Sequence, residues 1–389
     1  LEDTANTEEA AAVWAHIRDH DGGAKRTPYG VLVASEAGAQ EVLGDDGKRF
    51  SVYRYDDRLR ETIGGHYLGL DPKAPAGTCP NAATTSYASL SSAPNDFLSN
   101  KLSPKDAFAG ALKVGRQVLA TLPADGARKA IPLRTLAAAV VAQLAHTWFG
   151  VGEDLLGYLV LTSRYSFYPY AHADVHMAKS AQAGSRLVEH YQAPKELGIV
   201  QDLRSKGYPE EHVNRSLLGA VVGFAAPAIA AIASVGDRWA QTGDLWRLAD
   251  MTHRDDNKPL QRALQPALLD ALAYRPIPPL LYRTASADTS LPAESGKPQE
   301  VKKGELVIVG LGAVYQDAKR RANDGQGCPE AWLFGGEHGG AEHHGPNRPP
   351  HGCPAREVAL KVISGALMAV LEQPDLRHER TAVLSCGTN

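Results

Sequence analysis

Apolar residues recur at helical spacing through most of the middle of the chain. In IPLRTLAAAVVAQLAHTWFG, Leu133, Leu136, Val140, Leu144 and Trp148 fall three to four residues apart. That spacing predicts one amphipathic helix, and Gly150 supplies its stop. The same periodicity, punctuated by proline and glycine, predicts a mainly helical body from Ser103 to Arg275. Between Pro276 and Val309 the pattern changes: prolines interrupt helix, and the runs LLYRTA and ELVIVG read as strands. So few strands make a small sheet beside the helical body. No low-complexity linker or internal repeat divides the chain, so residues 1–389 are expected to form one large domain, mainly α with a small β subdomain.

Leu217 to Val235 carries no charge and approaches the length of a bilayer span. It is mostly alanine, which contributes little transfer energy, and it contains Gly223, Pro227 and Ser234. A buried central helix is expected, not a membrane span. Pro227 has no amide hydrogen, so the Gly223 carbonyl loses its helical partner, and a kink with a notch beside it is expected there.

Lys plus Arg number 41 against 44 Asp plus Glu, which leaves no positive excess to hold nucleic acid or an anionic membrane. Cys79, Cys328, Cys353 and Cys386 follow no short paired spacing, and a chain this large needs no disulfide staples; a reducing, cytoplasmic compartment is expected. The acidic start lacks the basic and apolar regions of a signal peptide.

A long Gly-, Pro- and His-rich loop from Gln316 leads to CPAREVALKVISGALMAVLEQP. There Ala359, Val362, Ile363, Ala366, Leu367, Val370 and Leu371 form one apolar stripe, and Pro354 suits a first helical turn. Cys353 thus precedes a helix, whose unpaired amides and dipole favour a thiolate with a lowered pKa. Such a cysteine is a nucleophile, a metal ligand or an incidental buried side chain.

His351-Gly352-Cys353-Pro354-Ala355-Arg356 resembles the His-x-Cys segment of the cytochrome P-450 superfamily. The resemblance covers roughly the last two thirds of the chain. DALAYRPIPPLLYRTASADT resembles the family's run from a helix into the sheet, VKKGELV its following turn and strand, and the Leu133 helix an early core helix. It implies haem b (iron protoporphyrin IX) held between a long distal helix and the cysteine loop and helix. Cys353 would be the axial iron ligand, with His351 and Arg283 at the propionates. A guanidinium fork suits a carboxylate. The departures are specific. Pro346 and Pro349 stand where the family has phenylalanine and glycine, and Asp270 and Ala273 stand for Glu-x-x-Arg, with Arg275 out of register. No His-x-x-x-Arg precedes Leu102-Ser103-Pro104. On the distal helix, Ala225 and Ala226 fall at the places of an acid and a threonine, and neither relays a proton. Gly223, Phe224, Ala226 and Pro227 are expected to line the substrate pocket.

The resemblance implies a haem-dependent oxidoreductase acting on a small organic molecule of the secondary-metabolite type. One route uses dioxygen with electrons from a separate ferredoxin or reductase, since no flavin or nicotinamide fingerprint is present. The other uses peroxide or is redox-neutral, as in an isomerase or dehydratase, and the alanines favour it. Two other classes compete: a metal site of His338, His343, His344 and His351 with Cys328 or Cys353, and a haem-binding protein without catalysis. Tyr165, Phe167, Tyr168, Tyr170 and the segment YASLSSAPNDF are further candidates for the pocket.

Overall fold

The computed structural model describes residues 7–72, 102–167, 177–192, 197–254, 258–293, 297–322, 328–336 and 350–387. Among them the chain begins α1 (Thr7–His20), β1 (Ala24–Thr27), β2 (Gly30–Val33), α2 (Glu36–Leu43), β3 (Phe50–Ser51) and α3 (Tyr53–Thr62). It continues through α4 (Pro104–Thr121), β4 (Ala124–Asp125), β5 (Arg128–Pro132), α5 (Leu133–Phe149), α6 (Leu156–Phe167), α7 (Met177–Gln192) and α8 (Gly198–Ser205). Then come α9 (Glu210–Thr242), α10 (Asp244–Thr252), α11 (Lys258–Tyr274), β6 (Leu280–Ala285), β7 (Thr289–Leu291), β8 (Gln299–Val301) and β9 (Leu306–Gly310). Last are α12 (Leu311–Arg321), α13 (Arg356–Leu371), β10 (Arg377–Arg380) and β11 (Val383–Gly387).

The spine is α9, which packs against α5, α6, α11 and α13. Leu217, Val221, Val222, Ile232 and Val235 are fully buried on it, each burial worth about 1.5–3 kcal/mol. Its most apolar window has the hydropathy of a membrane span, yet 67% of that window is buried inside the protein. Pro227 does not break it: helix continues on both sides. Open space remains beside Gly223, where an added Cβ would meet nothing within 4 Å.

Helix α13 is held close to α4 by small residues. A Cβ at Gly115 would come within 2.8 Å of the Ala369 Cβ, and one at Gly365 would overlap the Phe108 carbonyl oxygen. Helix α5 ends as its sequence predicts, with Gly150 in the left-handed region at φ 68°.

The sheet is wider than the Pro276–Val309 segment. Strands β6 and β9 form there and pair antiparallel, Leu281 opposite Val309 and Arg283 opposite Val307. They sit in a five-stranded sheet of order β1-β2-β9-β6-β3, in which N-terminal β2 runs parallel to β9. A four-stranded sheet, β10-β11-β5-β4, and the hairpin β7-β8 complete the β structure among the described residues.

Candidate functional site

A cavity of about 270 Å³ lies between α9 and the segment His351–Ala355 at the head of α13. Trp148 and Phe149 from α5, Phe167 from α6, and Tyr67, Leu68 and Phe334 close its sides. The aromatic wall is mutually packed, with the Phe224 ring centroid 5.6 Å from Trp148 and 6.1 Å from Phe149. Tyr55, Tyr67, Trp148, His351 and Cys353 are the only described lining residues whose side chains carry a polar or sulfur atom.

The α9 wall consists of Gly219, Ala220, Gly223, Phe224, Pro227, Ala228 and Ala231. Three pairs four positions apart, followed by Ala231, place these residues on one helical face. Gly223, Phe224 and Pro227 belong to that face. Ala226 does not: it is buried on another side of the helix, as is Ala225. The expectation that Ala226 lines the pocket is therefore corrected. An alcohol meant to serve the cavity from this turn would stand at position 227 or 228, where the chain has proline and alanine.

Cys353 faces α9 across the cavity. Its backbone N–H donates to the Phe334 carbonyl at 2.9 Å, which pins the loop to the turn Pro329–Phe334. That turn is tied to α2, since Trp332 Nε1 donates to Glu36 at 2.9 Å. The expected lowering of the Cys353 pKa is not found. Burial pushes the thiol up to about 11, outweighing the Ala355 amide and the Arg356 charge. Helix α13 starts only at Arg356, so its free amides lie beyond the sulfur, and a cation at the sulfur is needed to hold the thiolate.

His351 lines the cavity two residues before Cys353, with both ring nitrogens buried. Arg283 is one layer back: it is 5% exposed and is not among the lining residues. Its guanidinium donates to the Tyr282 carbonyl at 2.8 Å, and among the described residues it forms no ion pair with a carboxylate. Burial disfavours its charge, while Tyr55, Asp71 and Asp45 favour it from a distance. Both carboxylates are engaged elsewhere, Asp45 by Arg49 and Asp71 by Ser51 and the Val52 amide. A buried guanidinium in this condition fits an added anion.

Among the described residues no three His, Cys, Asp or Glu converge on a metal position. Cys328 instead receives a hydrogen bond from Arg356 at 3.5 Å. His338, His343, His344, Tyr168, Tyr170 and the segment around residue 90 lie outside the described residues. Tyr165 donates to Glu61 and is not a lining residue.

The sequence reading missed His66, which carries no spacing signal. Burial, aided by the Arg215 charge, pulls its pKa from 6.5 down to about 3. The folded state thus holds it neutral, while the unfolded chain takes up a proton as pH falls below about 6.5. Its contribution to stability is complete above that pH and declines between 6.5 and 3, by up to about 1.4 kcal/mol per pH unit. In urea unfolding of the haem-free protein, the stability difference between wild type and His66→Gln is expected to be constant above pH 7 and to shrink from pH 6 to 5. A constant difference throughout would remove His66 as the source.

No protein-family model matches this chain, and no curated protein matches its sequence. Solved structures match its fold. CalO2 is 15% identical with a TM-score of 0.71, over 100% of this chain and 98% of its own. P450BioI, in complex with an acyl carrier protein ligated to hexadec-9Z-enoic acid, is 12% identical with a TM-score of 0.67, over 99% of this chain and 100% of its own. The P450 monooxygenase TamI bound to tirandamycin C is 17% identical with a TM-score of 0.65, over 98% of this chain and 94% of its own. The chain has the fold of these proteins from end to end.

Proposed function

We propose that this chain, which has the cytochrome P450 fold, is a haem-thiolate oxidoreductase that oxidises a small, largely apolar organic molecule. One observation carries the reading: Cys353 of the His-x-Cys segment lines the same cavity as Gly223, Phe224 and Pro227 of α9. Haem b fits the donor set, because a cysteine sulfur suits iron and the buried Arg283 has no carboxylate partner among the described residues. Cys353 would hold the iron, and Arg283 and His351 the propionates. Haem supplies the oxidising chemistry that side chains lack. The surrounding residues exclude water and orient the substrate mainly by shape. The tirandamycin C bound to TamI supports a substrate of the secondary-metabolite type.

Neither Gly223 nor Pro227 can hold or move a proton. This supports a peroxide-driven or redox-neutral reaction over dioxygen activation with a separate ferredoxin or reductase. The balanced charge weighs against a nucleic-acid partner, and the burial of α9 against its crossing a membrane.

Arg283→Ala and His351→Ala are each expected to weaken haem retention by about 1–3 kcal/mol, the range for a charged hydrogen bond left unmade. Titration of apo-protein with haem, followed by its Soret band, measures this. Unchanged retention in both variants would overturn the propionate assignment, and absence of any Soret band would overturn the haem reading.

A further inference from the structure

His66 follows Gly64 and Gly65 and caps the turn Tyr67–Gly69, its Nδ1 accepting the Leu68 N–H at 3.3 Å. Because Nδ1 accepts, the neutral ring carries its proton on Nε2. That Nε2 is buried and has no hydrogen-bond partner among the described residues, although a donor away from water is ordinarily paired. It occupies the space that Gly219 leaves by lacking a side chain; a Cβ there would overlap it. Gly219 belongs to the cavity wall, one turn before Gly223 on the same face. Tyr67, stacked on His66 at 4.3 Å between centroids, and Leu68 line the cavity as well. His66 itself is not among the described lining residues, so Gly219, which has no side chain, is what separates its Nε2 from the cavity.

We propose that His66 is a specificity-determining residue of the cavity, whose Nε2–H pairs with a neutral acceptor oxygen, such as a ketone, ester or amide carbonyl, on an otherwise apolar substrate. Four residues of helix separate Gly219 from Gly223, so the oxygen lies roughly 6 Å along α9 from the notch. A carboxylate is disfavoured because no Lys or Arg is among the described lining residues. The inference rests on the haem reading, which sets the Gly223 notch as the reacting end.

The test uses haem-loaded protein and phenylimidazoles, whose ring nitrogen binds iron and whose para substituent extends along the wall. A Soret shift with plain 4-phenylimidazole checks the haem reading itself, and its absence would overturn both. Affinities are then compared for para-acetyl, para-isopropenyl and para-carboxylate derivatives, the first two being nearly isosteric. Wild type is expected to prefer acetyl over isopropenyl by roughly five- to hundred-fold, the worth of one buried hydrogen bond. The ratio should fall towards one in His66→Leu and recover in part in His66→Gln, which keeps an N–H donor. An acetyl-to-isopropenyl ratio of one in wild type, or one unchanged in His66→Leu, would overturn the proposal. So would tighter binding of the carboxylate than of the acetyl compound. Should His66→Leu fail to fold, the wild-type ratio and its change in His66→Gln decide.

Discussion

Replacing Cys353 with serine is expected to abolish the thiolate signature in the spectrum of the reduced carbon monoxide complex, the largest spectroscopic change that any single substitution here should produce. Serine is close to isosteric and keeps the backbone N–H that donates to Phe334, so the loop should stay pinned to its turn. The ligand changes while the scaffold does not. The sulfur it loses sits in surroundings that push a free thiol up to about 11, so a thiolate there depends on an iron cation to hold its charge. Cys353→Ser protein should therefore retain its haem-free unfolding midpoint while holding haem weakly and without the thiolate band. If the band persists, another sulfur serves iron. Cys328, already paired with Arg356, would be the next to replace.

What could be read in the sequence was local. The stripe from Ala359 to Leu371 and the stop at Gly150 are set by neighbours in the chain, and both recur in the structure as helix α13 and the left-handed cap of α5. Strands β6 and β9 were legible because LLYRTA and LVIVG are apolar and flanked by breakers. Strands β1 and β10, reading AKRT and RHER, were not, since nothing in so short a polar run separates strand from loop. Nor could periodicity join β2 to β9, which are about 270 residues apart and pair only in the folded chain.

The site divides in the same way. Cys353 and its loop were legible from a helix start, but the sign of the thiol's pKa shift was not, because burial is a property of the whole fold. Helix α9 is rich in alanine on all sides, so its sequence carries little record of which face meets the cavity, and of the four residues expected there Ala226 is the one the cavity does not include. Arg283 lies outside the cavity lining, which the sequence did not show: it follows Tyr282, whose N–H donates to the hydroxyl of the lining residue Tyr55 at 3.1 Å. His66 depends on a contact between a loop and a glycine more than 150 residues away, which no local pattern carries.

Position 227, on the cavity face while Ala226 is off it, is an informative place to set an alcohol. Pro227→Thr returns an amide hydrogen to the Gly223 carbonyl and removes a proline that costs a helix interior about 3 kcal/mol, so a gain in stability of about 1–3 kcal/mol is expected. It also sets a hydroxyl on the face shared with Gly223. Ala226→Thr is the control: it adds bulk to a buried position off the cavity wall, at a cost of about 1–3 kcal/mol, and offers the cavity nothing. If proton delivery limits dioxygen chemistry in this protein, Pro227→Thr should raise product formed per electron from a surrogate reductase by on the order of tenfold, a modest share of what a positioned proton donor contributes. Ala226→Thr should leave that ratio unchanged. Turnover driven by peroxide, or with no oxidant or reductant, should not rise in either variant, because those routes do not call on the missing alcohol. Efficient coupling in the wild-type protein would mean that water or a substrate hydroxyl already delivers the protons. A rise with Ala226→Thr and none with Pro227→Thr would show that the face assignment of α9 is wrong.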